Sequence, residues 1–342
     1  MCVCPSRILR TVHLIYFIAD SVPQITTSSS SSSSLPNPDN HTMGNGLSEE
    51  ERIDKSVREL GDGPDVKVNQ RIVDFCSLDS SDMLRRHYER RMEASDCAPD
   101  WIKNLAEKLG AFTSAPELAG LGALAIAIFI DIVSFSPAEE SMKDALRCVF
   151  AEEKASEVWD QIDECLKRCR MNFTNRHELS SDLKQIEGKL SAALTKLKNS
   201  MLRDGHMTNE ALKAWVNGAA FHIQMLIHLV RLGGTVTCNT VETLISDYQN
   251  DLIQLFKEHK EMIRKKCKMS FTVETVTPFR NTVLVDENSK GHTLDFFSNP
   301  DKFLEAYYDH RYGGQKHEIQ QHFSSVRENL QSLVSQRGSF NF

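Results

Sequence analysis

Four consecutive amphipathic stretches, joined by connections of only a few residues, restrict this chain more than any other feature. The first opens at Ser136-Pro137-Ala138-Glu139, which combines an N-cap, a first-turn proline and a capping-box glutamate. It carries Met142, Ala145, Val149, Ala155, Val158, Ile162, Cys165 and Cys169 on one stripe to about Met171. The second carries Leu179, Leu183, Ile186, Leu190, Ala193, Leu197 and Met201, an alternating four-and-three spacing that makes a coiled-coil seam, and ends at Asp204-Gly205. The third opens near Thr208 and holds Trp215, Phe221, Met225, Leu229 and Leu232 in a broader apolar girth, which predicts the most buried member of the set. After Gly233-Gly234 the fourth repeats the heptad with Val241, Ile245, Tyr248, Leu252, Leu255, His259 and Met262. Helices of roughly 24 to 35 residues are ~36–50 Å long, and short connections force antiparallel neighbours. The expected fold is predominantly all-α: an elongated antiparallel four-helix bundle with an adjacent hydrophobic helix, within residues 114–270.

That hydrophobic helix is Leu118–Phe135, LAGLGALAIAIFIDIVSF, started by Ser114 and Pro116 and stopped by Ser136-Pro137. Its apolar surface is Leu118, Leu121, Leu124, Ile126, Ile128, Phe129, Ile130, Ile132, Val133 and Phe135, and its one charge is Asp131. Eighteen helical residues reach about 27 Å, just short of a ~30 Å hydrocarbon core, so length fits both a membrane segment and the buried centre of a bundle. A carboxylate in such a helix must be neutralised, paired or hydrated, unless it reaches solvent at the helix end. Gly120-x-Gly122-x-x-Ala125 satisfies the dinucleotide fingerprint, but no strand precedes it and its glycines lie inside the apolar run, so it is read as helix.

Ahead of this region, residues 1–42 hold the serine run Ser28–Ser34 and no periodic apolar face, and are expected to be a disordered extension. Leu14–Ala19 after Arg7 and Arg10 imitates a signal peptide, but the run is short and no small-x-small site follows. Met43-Gly44-Asn45-Gly46-Leu47-Ser48 matches M-G-x-x-x-[ST], in which the glycine amine exposed by removal of Met accepts myristate. Gly44 therefore requires translation to begin at Met43, with residues 1–42 outside the native protein. The alternative is a Gly-Asn-Gly turn before a helix capped by Ser48 and Glu51. Residues 43–113 read as short helices at 48–60, 71–75, 81–93 and 100–109. Arg85, Arg86, Arg90 and Arg91 are expected on a solvated face paired with nearby acids.

Past the fourth rod the period changes. Residues 271–342 are expected to form a small α+β region, with a β-hairpin from Phe271–Val276 and Asn281–Val285, closed by 286–291, and helices near 300–312 and 316–336. Lys257, Lys260, Arg264, Lys265, Lys266 and Lys268 gather at the end of the fourth rod. Dipole complementarity accounts for part of this, and an anionic surface is the functional reading.

The 342 residues carry 40 Lys+Arg against 47 Asp+Glu, a net charge of −7, which gives no global attraction to nucleic acid. Nine cysteines with no C-x-x-C pair point to a reducing compartment, and Cys165 and Cys169 are expected as buried core thiols. No P-loop, H-E-x-x-H, G-x-S-x-G or EF-hand pattern occurs. No catalytic residue, metal, cofactor, nucleic acid or small-molecule substrate is therefore expected. A hydrophobic Ala/Gly helix beside a long bundle resembles the general plan of α-helical pore-forming proteins and of other helical-bundle proteins over about residues 114–270, an architectural likeness without a shared motif that implies fold more than activity. The expected function is that of a non-enzymatic, cytoplasmic protein associating with a membrane surface, a helical protein partner or a second copy of itself. The alternatives are a pore former that releases 118–135 into lipid and a single-span membrane protein.

Overall fold

The computed structural model describes residues 48–61, 63–93, 114–134, 141–273, 280–286, 291–294 and 299–339, all within one unit, Leu47–Phe342. The chain is predominantly helical. Three short helices come first: α1 (Glu49–Arg58), α2 (Gln70–Phe75) and α3 (Ser80–Glu93). The apolar helix α4 (Leu121–Ser134) follows, then α5 (Met142–Arg147), α6 (Ser156–Met171), α7 (Arg176–Arg203), α8 (Asn209–Arg231) and α9 (Cys238–Lys266). Strands β1 (Lys268–Val273), β2 (Arg280–Val285) and β3 (Gly291–Leu294) lead to α10 (Pro300–Tyr308), α11 (Gly314–Glu328) and α12 (Leu330–Ser335).

Local chemistry sets the ends of the long rods. Asn175, Thr208 and Thr237 cap α7, α8 and α9 by accepting from the backbone N–H of Glu178, Ala211 and Thr240. Gly205 and Gly233 close α7 and α8 at φ +75° and +77°, where a Cβ would be strained. Consecutive rods pack in series, α6 on α7, α7 on α8 and α8 on α9, while α6 also meets α4 and α9 also meets α10, α11 and α12. Helix α8 lies innermost. It contacts α4, α6, α7, α9 and α12, and residues around its whole circumference are buried, from Leu212 and Trp215 to Met225 and Leu229.

Several expectations are corrected. The first rod is not continuous. Its apolar stripe is divided among α5, two 3₁₀ turns (Cys148–Phe150 and Glu153–Ala155) and α6. The break turns Val149 and Phe150 inward: the first turn contacts α8, and the Phe150 ring stacks 5.8 Å from that of Trp159. The N-cap expected at Ser136–Glu139 lies outside the described residues, as do the helix expected at 100–109 and residues 1–47.

The apolar helix is also shorter than expected, because a 3₁₀ turn at Pro116–Leu118 and Gly120 at φ +58° precede it. A Cβ on Gly120 would stand 2.9 Å from the Arg231 guanidinium, so the glycine is required by close approach as well as by conformation. In place of the two-stranded hairpin there is a three-stranded antiparallel sheet of order β1–β2–β3, pairing Lys268 with Val285 and Val285 with Gly291. The two C-terminal helices are joined by a π-helical turn, Asp309–Gly313, so the Gly313-Gly314 pair does not stop the helix there. Gln315 explains the docking at this turn: its Oε1 accepts from Val66 N at 2.8 Å, and its Nε2 donates to Arg311 O and Pro64 O at 2.8 and 3.0 Å.

The chain beyond α12 returns to the start of α4 as a strap. Ala115 and Gly338 exchange two backbone hydrogen bonds of 2.8 Å, and Gln336 Nε2 donates to Leu78 O at 2.7 Å and Ser80 Oγ at 3.0 Å. Buried Arg231 reinforces the junction, donating from Nε and NH2 to Leu333 O at 3.1 and 2.7 Å and from NH1 to Ala119 O at 2.9 Å. With no carboxylate among its hydrogen-bond partners, burial lowers its pKa to about 10.

Candidate functional site

The basic cluster at the end of α9 divides into two sets. Lys260 pairs with Glu305 of α10 and lies 5.4 Å from the Tyr308 ring centroid. Arg264 NH2 donates to Glu305 Oε1 at 3.1 Å and stands 3.9 Å from Asp301. These two cations are spent on holding α9 to α10. Lys257, Lys265, Lys266 and Lys268 are exposed and have no acidic partner among the described residues.

Helix α1 is pinned beside them. Glu49 Oε1 accepts from Asn299 N and its Oε2 from Lys302 Nζ, both at 2.9 Å, which fixes the first turn of α1 against the first turn of α10. The hydrogen bond from Lys302, helped by that from Asn299, holds the Glu49 carboxyl below its ordinary pKa. Ser48 and Glu51 complete the capping box, with Ser48 Oγ accepting from Glu51 N at 3.2 Å and Glu51 Oε2 from Ser48 N at 2.8 Å. Gly44, four residues before Ser48 in sequence, lies outside the described residues.

The apolar segment is enclosed. Leu118, Leu121, Leu124, Ile126, Ile128 and Ile130 are buried, Phe129 is half-buried 5.5 Å below the Arg170 guanidinium, and Ile132 is 43% exposed. Phe135 and the side chain of Val133 lie outside the described residues. Among the described residues no helix is long and apolar enough to cross a membrane.

Asp131 does not reach solvent at the helix end. Its Oδ1 accepts from His87 Nε2 and Arg91 Nε, and its Oδ2 from Met142 N, each at 2.8 Å. Burial by itself would raise the carboxyl pKa, but the His87 and Met142 hydrogen bonds and the nearby positive charges outweigh it, and the net shift is downward. The expected solvated arginine face is therefore corrected at Arg91, which is buried. Arg85 does lie on the surface, 3.2 and 3.4 Å from Asp82 and Glu89. His87 was missed by sequence reasoning, although its spacing of four from Arg91 puts both side chains on one face of α3, where a carboxylate inside an apolar helix finds both partners. All three groups are buried, which suits anchoring α3, α4 and α5 to one another rather than reaching a substrate.

Other buried histidines also join elements. His222 Nε2 donates to Glu187 Oε1 at 3.0 Å, and its Nδ1 accepts from the Tyr248 hydroxyl at 2.6 Å. A cavity of about 540 Å³ lined by Glu187, Ser191, Thr240, Thr243 and Asp247 adjoins His222, but both ring nitrogens are engaged and neither is left to act as a base. His259 stands between the Tyr308 hydroxyl at 3.0 Å and Asn209 Oδ1 at 2.7 Å, and burial lowers its pKa to about 4. His228 Nδ1 accepts from Arg231 at 3.0 Å, which leaves its buried Nε2 without a partner. Cys165 and Cys169 are buried free thiols, and burial raises the Cys165 pKa well above its ordinary value. Among the described residues no group of three or more His, Cys, Asp or Glu is placed to hold a metal.

No family model matches the chain, and no curated protein or solved structure matches it. The fold and these contacts define a predominantly helical protein with four exposed lysines at the end of α9.

Proposed function

We propose that this is a non-enzymatic helical protein that attaches peripherally to an anionic, cytoplasm-facing membrane surface, with the unneutralised lysines of α9 and acylated Gly44 as its two signals. Residues 114–270 serve as the four-rod scaffold that carries them. The observation supporting this reading is the Glu49–Lys302 contact. It fixes Ser48, where the chain arrives from Gly44, against the same helix α10 that clamps the basic end of α9. One myristoyl chain gives only marginal, reversible attachment, and basic side chains near an anionic surface add about 1 kcal/mol each, so neither signal suffices alone.

Flotation with vesicles tests it, using protein that begins at Met43 and has been acylated enzymatically. The expected result is flotation with phosphatidylserine-containing vesicles, a weak signal with phosphatidylcholine alone, and loss in both G44A and K265E/K266E/K268E. Equal flotation of the charge-reversed variant, or of all forms with neutral vesicles, overturns the proposal. Dye release accompanying flotation supports the alternative pore reading, which rests on the apolar segment being sheltered by neighbouring helices. Helix α4 as folded is 14 residues, ~21 Å, and that reading needs it to lengthen to match a ~30 Å core.

A further inference from the structure

A cavity of about 270 Å³ lies where α2, α8, α11 and α12 meet, away from the lysine-rich end of α9. Val73, Cys76, Val326 and Leu333 give it apolar walls, and Gln224 of α8 lines it from the core side. Gln224 is 2% exposed, and its Oε1 is buried without a hydrogen-bond partner. A buried amide left unpaired in this way is uncommon, because desolvation removes its bonds to water without replacing them. The neighbouring groups do not supply the missing bond. Ser77 Oγ donates to Asp74 O and accepts from Asp79 N, while Asn329 Nδ2 donates to Ser325 O. His322 stands at the opening, and burial lowers its pKa to about 4, so it is neutral at pH 7. The cavity is not sealed. Val73, His322 and Ser325 also line an outer cavity of about 370 Å³ between α2 and α11, which gives a path from solvent.

A buried, unpaired amide lining a chamber of apolar and polar residues with an open mouth is complementary to one kind of molecule. We propose that this cavity binds a small uncharged ligand through an N–H group adjacent to a C=O or ring nitrogen, the edge shared by carboxamides and nucleobases, with Gln224 answering both positions. An apolar body against Val326 and Leu333 completes the fit, and an anionic ligand is disfavoured because the one ionised residue lining the cavity is Asp79.

Saturation-transfer NMR on the full chain tests the proposal with benzamide and nicotinamide in one arm, uracil and adenine in the other, and benzoate as the charged control. Saturable binding in one arm identifies the source of the edge, and benzoate is expected not to bind. Gln224→Met, which keeps the shape and removes the amide, is expected to weaken binding at least tenfold while leaving the thermal midpoint equal or higher. Ser325→Phe, a change at an exposed position at the mouth, is expected to block binding in a protein that keeps its core. The proposal is overturned if no probe saturates at millimolar concentration, if benzoate binds as well as benzamide, or if both variants bind as the parent does.

Discussion

Asp131 shows what one residue does when an apolar helix carries a charge. Its three hydrogen bonds tie α3, α4 and the first turn of α5 to a single carboxylate. Removing one member of a buried pair leaves the other uncompensated, which costs about 3–5 kcal/mol. Urea unfolding of D131A is expected to show a loss in that range, and D131N a smaller one because the amide oxygen still accepts. The Asp131 pKa is lowered in the fold, so its contribution is present above the unfolded carboxyl pKa and is lost as pH falls through the lowered value. His259 acts in a higher window. Its pKa falls from about 6.5 unfolded to about 4 folded, so stability is complete above pH 6.5 and declines from there to pH 4, by roughly 3 kcal/mol for a full shift. Unfolding midpoints at pH 7 and pH 4.5 are expected to differ accordingly, and H259N is expected to reduce that difference, leaving the part due to His322, whose pKa is lowered alike.

At the scale of elements, the strap is the most sensitive join. A Cβ on Gly338 would stand 2.3 Å from Leu118 O, so even alanine forces the strap off the start of α4. G338V is expected to lower stability by roughly 1–3 kcal/mol, as overpacking does, measured by thermal unfolding and by faster proteolysis near residue 115. Where sequence and structure agree, the signal was local. The capping box at Ser48, the helix start at Thr208 and the heptad seams of α7 and α9 are written within a few residues of where they act, and so is the girth of α8. Where they differ, the cause lies far along the chain. The break at 148–155 follows from docking Val149 and Phe150 on α8, and α4 starts late because Gly120 makes room for Arg231. The turn at Asp309–Gly313 is held by Gln315 reaching residues 64 and 66. Of the candidate site, the lysines were legible as a cluster. The separation of Lys260 and Arg264 from the rest depends on Glu305, which no local pattern connects to them.

For the whole molecule, a net charge of −7 makes the four lysines at the end of α9, which have no acidic partner among the described residues, a local cationic cluster on an acidic protein. Attraction through them is therefore short-ranged. Raising salt from 0.1 M to 1 M shrinks the Debye length from ~10 Å to ~3 Å. Vesicle flotation is expected to fall steeply over that range, while the unfolding midpoint moves far less because the core is apolar. Salt-insensitive flotation would point instead to insertion of an apolar element.

The enclosure of α8 has a consequence for how the chain is made. Its flank toward α12 is covered by residues synthesised about a hundred positions later, as the Arg231–Leu333 bonds show. While the ribosome is still adding those positions, the most enclosed of the long helices is already outside the exit tunnel with one side bare. The nascent protein is expected to be prone to aggregation until translation reaches the residues that cover it.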